Sequence, residues 1–185
     1  MQISLLDLAQ TDKLFGSDLG KRVYTRLMDA IQSNPHVIHF ALSVKGATWT
    51  DVTFARESVL RMASAYRGVK SFCLNDLNNA DQIDNWSYAA DSKGQPIMAW
   101  FGKEFRILGC QLTNSSKNIV EYVLKHGTVN TAQVADAMDI TIHNSSTTLK
   151  RLYMQGYLMR TDTSASTGGR EFLYHGISPT FEIGR

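Results

Sequence analysis

Residues 131–174 read TAQVADAMDITIHNSSTTLKRLYMQGYLMRTDTSASTGGREFLY. Val134, Ala135 and Met138 fall on one side of a short helical pattern, with Asn130 or Thr131 as its cap and Gln133 behind it. Asp139-Ile140-Thr141 interrupts that pattern, and a second helical run begins near Ile142. Ser145, Leu149 and Leu152 follow at helical spacing, and Gly156 stands where a left-handed cap ends a helix. Tyr157-Leu158-Met159 reads as a strand, Thr161 to Gly169 as a polar loop, and Arg170 to Tyr174 as the returning strand.

Two helices joined by a tight turn and followed by a hairpin resemble the winged helix-turn-helix of bacterial transcription regulators. Ala135, Met138, Ile140, Thr141, Leu149, Leu152, Gly156, Tyr157 and Leu158 stand at the places that carry the likeness. The resemblance implies an α+β winged helix whose second helix enters the major groove of double-stranded DNA. Winged helices also serve as docking modules for proteins, so a protein–protein module without DNA contact is the alternative.

With Ser145, Leu149 and Leu152 turned to the core, the opposite side of the second helix carries His143, Asn144, Ser146, Thr147 and Lys150. Asn pairs bidentately with adenine, and a Thr methyl touches that of thymine. Lys150 and Arg151 lie further along, where phosphate contact is expected, and Thr141 is the expected helix cap within reach of a phosphate. Ile142 is exposed in this register, and either meets a thymine methyl or packs on the neighbouring helix. Ser145 is small for a core position, which suggests a loosely seated helix. The wing from Ser164 to Gly169 ends in Arg170, a cation suited to the minor groove. The bland reading is a solvated polar face and an ordinary hairpin tip.

Upstream, Thr113-Asn114-Ser115-Ser116 is a polar punctuation mark that serves as linker and helix cap. Ile119, Val120, Val123 and Leu124 then line one side of a helix closed by Gly127, and Val129 supplies a small strand. The expected boundary puts residues 1–112 in one domain and 113–185 in the winged helix.

Within 1–112, short apolar runs alternate with helical patterns. Ile3, Leu5 and Leu6 start a strand, and a helix capped by Ser17 or Asp18 runs to Gln32 with Val23, Leu27, Met28 and Ile31 inward. Val37 to Leu42 is of buried-strand length. Thr50 or Thr53 caps a helix running from Phe54 to Gly68, and Val69 to Leu74 and Pro96 to Phe101 are further strands. Such alternation points to an α/β layer with strands in the middle. Phe15-Gly16-Ser17, Val37 to Ser43 and Phe54-Ala55-Arg56-Glu57 make residues 13–101 similar to the STAS-like family, related to anti-sigma-factor antagonists. That likeness implies a central sheet with helices and a role in dimerisation or signal input. Ala41-Leu42-Ser43 replaces the acidic residue often found in the family, and with it any carried-over chemistry. Thr50 and Thr53 stand near the helix start where some relatives are phosphorylated, although ordinary capping explains them more cheaply.

Composition narrows the rest. A 43% hydrophobic and 19% charged chain is ordinary for a globular protein. No apolar run approaches the roughly 20 residues of a membrane span, and the N-terminus lacks the pattern of a secretory signal. Cys73 and Cys110 read as free thiols in a reducing cytoplasm. Net charge is only +2, with 12 Lys and Arg against 11 Asp and Glu up to residue 112 and 7 against 6 beyond it, so any basic footprint is local. His36, His39, His126, His143 and His175 show no metal-ligand spacing, and no phosphate loop or nucleophile elbow is present. The expectation is a cytoplasmic regulator without cofactor, metal or catalytic residues. It binds an inverted repeat in DNA as a homodimer, represses, and accepts a regulatory protein partner.

Overall fold

The computed structural model describes residues 1–164 and 170–179. Its centre is a five-stranded sheet of β1 (Gln2–Ser4), β3 (His39–Ser43), β5 (Ser71–Asn75), β6 (Ile97–Phe101) and β7 (Glu104–Leu108), in that order. The first four run parallel, and β7 returns antiparallel at the edge. A two-stranded parallel ladder of β2 (Lys13–Leu14) and β4 (Trp49–Thr50) stands beside it, which the sequence reading did not foresee.

Alternation along the strands assigns two faces. Phe40, Leu42, Phe72, Leu74, Ile97, Ala99 and Leu108 belong to a core shared with the helices of the N-terminal part. These are α1 (Leu5–Ala9), α2 (Ser17–Gln32), a helical run at 52–65, and α5 (Ala80–Lys93). Ala41, Cys73 and Met98 join a second core with residues from 119 onward, and Trp100, Phe105 and Ile107 pack against it. One face is thus closed by the chain's own crossover helices and the other by its C-terminal third.

Several local expectations are corrected. The strand expected at Ile3, Leu5 and Leu6 ends at Ser4, whose side chain caps α1 by accepting from the Asp7 amide. Neither Ser17 nor Asp18 caps α2; Gly16 holds that place at φ 83°, and its amide donates to Asp51. Asp51 also caps the next helix by accepting from Phe54 N at 2.7 Å, so neither Thr50 nor Thr53 does. Thr50 is buried, which removes it as an accessible modification site. The run at 52–65 is α3 (Val52–Ala55), a π-turn at Arg56–Leu60 and α4 (Arg61–Ala65). The buried Ser58 hydroxyl donates to the Phe54 carbonyl at 2.6 Å, the kind of competing bond that widens a helix.

Beyond residue 112 come α6 (Asn114–His126), β8 (Thr128–Asn130), α7 (Thr131–Met138), α8 (Ile142–Gln155), β9 (Leu158–Ser164) and β10 (Arg170–Gly176). The strands form an antiparallel sheet with β10 in the middle. Thr113 caps α6, and Asn130 and Gln133 form a capping box on α7. Thr141 caps α8, as the sequence reading has it. Among the described residues, no helix is long and apolar enough to cross a membrane.

Candidate nucleic-acid interface

α8 is fixed by one side and one end. Ser145, Leu149 and Leu152 are buried at helical spacing. Ser145 is seated by chemistry rather than bulk, because its hydroxyl donates to the Thr131 carbonyl at the start of α7 at 2.8 Å. The expected loose seat is therefore replaced by a hydrogen bond, which only a small hydroxyl could make there. At the far end, the Tyr153 hydroxyl donates to the Gly68 carbonyl at 3.3 Å. Gly156 has φ 87°, and a Cβ there would meet Gln95 Nε2 at 2.9 Å. Only glycine meets both demands. Arg67 Nε in turn donates to Gln95 Oε1 at 2.8 Å, so the C-terminal end of α8 abuts the sheet-bearing part.

The other side and the N-terminal half of α8 are open. Thr141, Ile142, His143, Asn144, Ser146, Thr147, Lys150 and Arg151 are all exposed, and Ile142 shows 63% of its surface. That exposure leaves most of the Ile142 side chain open to solvent. Thr141 Oγ1 accepts from the Asn144 amide at 3.2 Å, which spends its acceptor on the cap. Arg151 is not simply a free cation, for its Nη2 donates to Ser116 Oγ on α6 at 2.9 Å.

That bond exposes a feature the sequence reading missed. Ser115, Ser116 and Asn118 from the first turns of α6 meet Asn144, Thr148 and Arg151 around a groove of about 340 Å3. The linear order marks Ser115 and Ser116 only as linker and cap, because nothing in it brings α6 beside α8. The positive end of α6 and a guanidinium on the same groove favour an anion.

Charge on this side is mixed. Asp136 and Asp139 are exposed near the turn between α7 and α8, and Lys117 spends part of its charge on Glu121 at 3.9 Å. Arg160 lies over the rings of Tyr153 and Phe172 at 4.5 and 4.2 Å, and so stiffens the base of the hairpin. Ser164 and Arg170 pair across β9 and β10 at its open end. The tip at 165–169 and the Arg170 side chain, to which a minor-groove contact was assigned, lie outside the described residues.

The second core carries polar groups of its own. Trp100 Nε1 donates to the Ile177 carbonyl at 3.0 Å, and the Tyr157 hydroxyl donates to the Cys110 carbonyl. Burial first, with the Cys110 thiol and Asp91 nearby, pushes the Tyr157 phenol up to about 12. His175 is bracketed by Thr128 Oγ1 at 2.9 Å and Thr161 Oγ1 at 2.7 Å. His39 contacts Ser71 Oγ and is held down to about 4, by burial first and then by His175 and the N-terminal amine. Burial also raises the Cys73 thiol to about 12, which makes it a poor nucleophile. Among the described residues, no three His, Cys, Asp or Glu gather in a way that could hold a metal ion.

No protein-family model matches the chain, and no curated protein matches it. Among solved structures, it is similar to a possible transcriptional regulator from Methanosarcina mazei Go1, with 18% identity and a TM-score of 0.34. The similarity covers 37% of this chain and 58% of that one, so the chain spans little more than half of that protein's length.

Proposed function

We propose that the chain is a sequence-specific DNA-binding transcription regulator. In this reading, residues 113–185 form a winged helix with α8 as its recognition helix, and 1–112 form a STAS-like layer for dimerisation or signal input. The supporting observation is the asymmetry of α8. Its core side and C-terminal end are pinned, while its N-terminal half presents to solvent a polar face broken by Ile142. Asn144, Ser146, Thr147 and His143 read base edges, Ile142 meets a thymine methyl, and Lys150 takes a phosphate. Thr141 serves the interface chiefly by fixing the first turn. Arg151 and the start of α6 hold a second phosphate in their shared groove, and Arg170 reaches the minor groove.

One such unit makes few phosphate contacts, so the regulator acts as a homodimer on an inverted repeat with half-sites about one helical turn apart or a multiple of it. Repression is the proposed mode, in the cytoplasm, without catalysis. Selection of bound fragments from a random DNA pool tests the reading. An enriched palindrome, blurred by Asn144→Ala and weakened at all sequences by Arg170→Ala, supports it; no enrichment at low salt sinks it. The near balance of 7 cations and 6 anions beyond residue 112 favours the second reading, a module that docks proteins. Steep salt dependence of DNA affinity separates the two, because counterion release scales with phosphate contacts.

A further inference from the structure

Far along the chain from α8, a cleft of about 880 Å3 opens where the α1–β2 turn, α2 up to Arg26 and β4 meet. Its floor includes Ala9 and Leu19, both buried. Phe15 and Trp49 stand on its walls and leave 63% and 51% of their surface exposed. Lys13, Arg22 and Arg26 line it, and no carboxylate does.

Local structure explains why these groups converge. The β2–β4 ladder pairs Lys13 with Trp49 and Leu14 with Thr50. Leu14 and Thr50 are buried, so alternation turns Lys13 and Trp49 outward together. On α2, Leu19, Arg22 and Arg26 share one face at spacings of three and four. Arg26 Nη1 donates to the Leu8 carbonyl, which anchors it across the end of α1. The Asp12 carboxylate accepts from the Thr48 hydroxyl at 2.9 Å, and Asp18 is exposed one turn before Arg22. Among the described residues, neither forms an ion pair with Lys13, Arg22 or Arg26.

Two large exposed aromatics share this cleft with Lys13 and Arg22, which make no ion pair among the described residues, and such a joint apolar and cationic patch suits a ligand. The volume is that of a small-molecule site. Flat rings suit a base, and the guanidinium of Arg22 suits a phosphate. The cations gather at one cleft instead of tracking along a groove, which fits a single phosphate-bearing ligand better than a strand. We propose that this cleft binds a mononucleotide, its base against Trp49 and Phe15 and its phosphate held by Arg22 and Lys13 with Arg26 behind them. The site stands apart from the DNA reading, and neither its ligand nor its test involves α8.

The test titrates the full chain with AMP, GMP, CMP and UMP, followed by tryptophan fluorescence and by calorimetry. Trp49 is the well-exposed indole, since Trp86 is buried and Trp100 half-buried. At least one nucleotide is expected to quench emission with a Kd below about 1 mM. Inorganic phosphate alone, and the matching nucleoside, are expected to bind about tenfold or more weakly. Arg22→Gln should weaken the nucleotide by about tenfold while leaving the nucleoside unchanged. Trp49→Ala should abolish the quenching and weaken calorimetric binding by a similar factor. Phe15→Ala, an exposed site outside the ladder, gives a second ring deletion if Trp49→Ala disturbs the fold. Absence of nucleotide binding overturns the proposal. So does binding that survives both Arg22→Gln and Phe15→Ala, or that appears only with oligonucleotides.

Discussion

The two faces of the five-stranded sheet are covered by layers of different chemistry. On the helical face, Phe40 stacks on Phe72 at 5.6 Å between ring centroids, and Phe54, Leu60, Leu74 and Trp86 are sealed from water. Gln82, a buried polar exception, donates to the Ala47 carbonyl at 3.1 Å. On the other face, aliphatic side chains share the layer with His39, His175, Trp100 and Tyr157, each committed to a specific partner. Apolar area holds most of the first layer. Directional bonds orient the second, and through Tyr153 and Gly156 they fix where α8 stands relative to the sheet.

The largest expected effect lies in the first layer. Phe54→Ala should cost about 3–5 kcal/mol in urea unfolding, because a fully buried ring leaves a cavity that a parallel sheet cannot collapse to fill. If both layers form one cooperative unit, the loss appears as one shifted transition; two separated transitions would divide the molecule at the second core.

Acid should single out the second layer. His39 and His175 are both held below the usual histidine value by burial, His39 to about 4. The unfolded chain therefore takes up protons first, from about pH 6.5 downward. The stability that depends on neutral histidines is complete above that pH and is lost as pH falls towards 4. Stability curves measured across this window should slope downward on acidification, and His39→Gln should flatten the slope. A slope unchanged by the substitution would remove His39 as the titrating group and leave His175 to be tested in the same way.

At the foot of α8, Gly156→Ala forces a side chain into the left-handed region and against Gln95, at a cost of about 1–3 kcal/mol. Thermal unfolding reads the cost. Amide exchange should show the protection loss concentrated in α8 and residues 67–68 and 95. At its head, Thr141→Ala removes the cap for about 1 kcal/mol. Asn144→Ala and Thr147→Ala should change stability by less than about 0.5 kcal/mol, since both are exposed. Any larger loss would mean that the face is structural and not a free surface.

The C-terminal third was the more legible region in sequence. Thr113, Thr141 and Gly156 are punctuation whose physics is local, and each stands where the reading put it; of Asn130 and Thr131, both open to that reading, Asn130 is the cap, boxed with Gln133. In the N-terminal part, caps came from residues that the linear pattern did not favour. Asp51 serves both Gly16 and Phe54, a bond to an amide 35 residues away that no window along the chain can reveal. The two-residue strands β2 and β4 carry no periodicity to detect. The parallel strands read as unbroken apolar runs because both faces are covered, so the sequence alone could not say which side chains meet which layer.

By itself, the sequence determined the alternation of elements, the ends of the C-terminal helices and the polar side of α8, because backbone geometry and local caps act over a few residues. Tertiary structure alone decided that the C-terminal third closes the sheet's open face, that Arg151 meets the start of α6, and that Phe15, Trp49 and three cations share one cleft. Those juxtapositions join residues dozens of positions apart, and they are selected by burial and directional bonding summed over the whole chain rather than by any stretch of it.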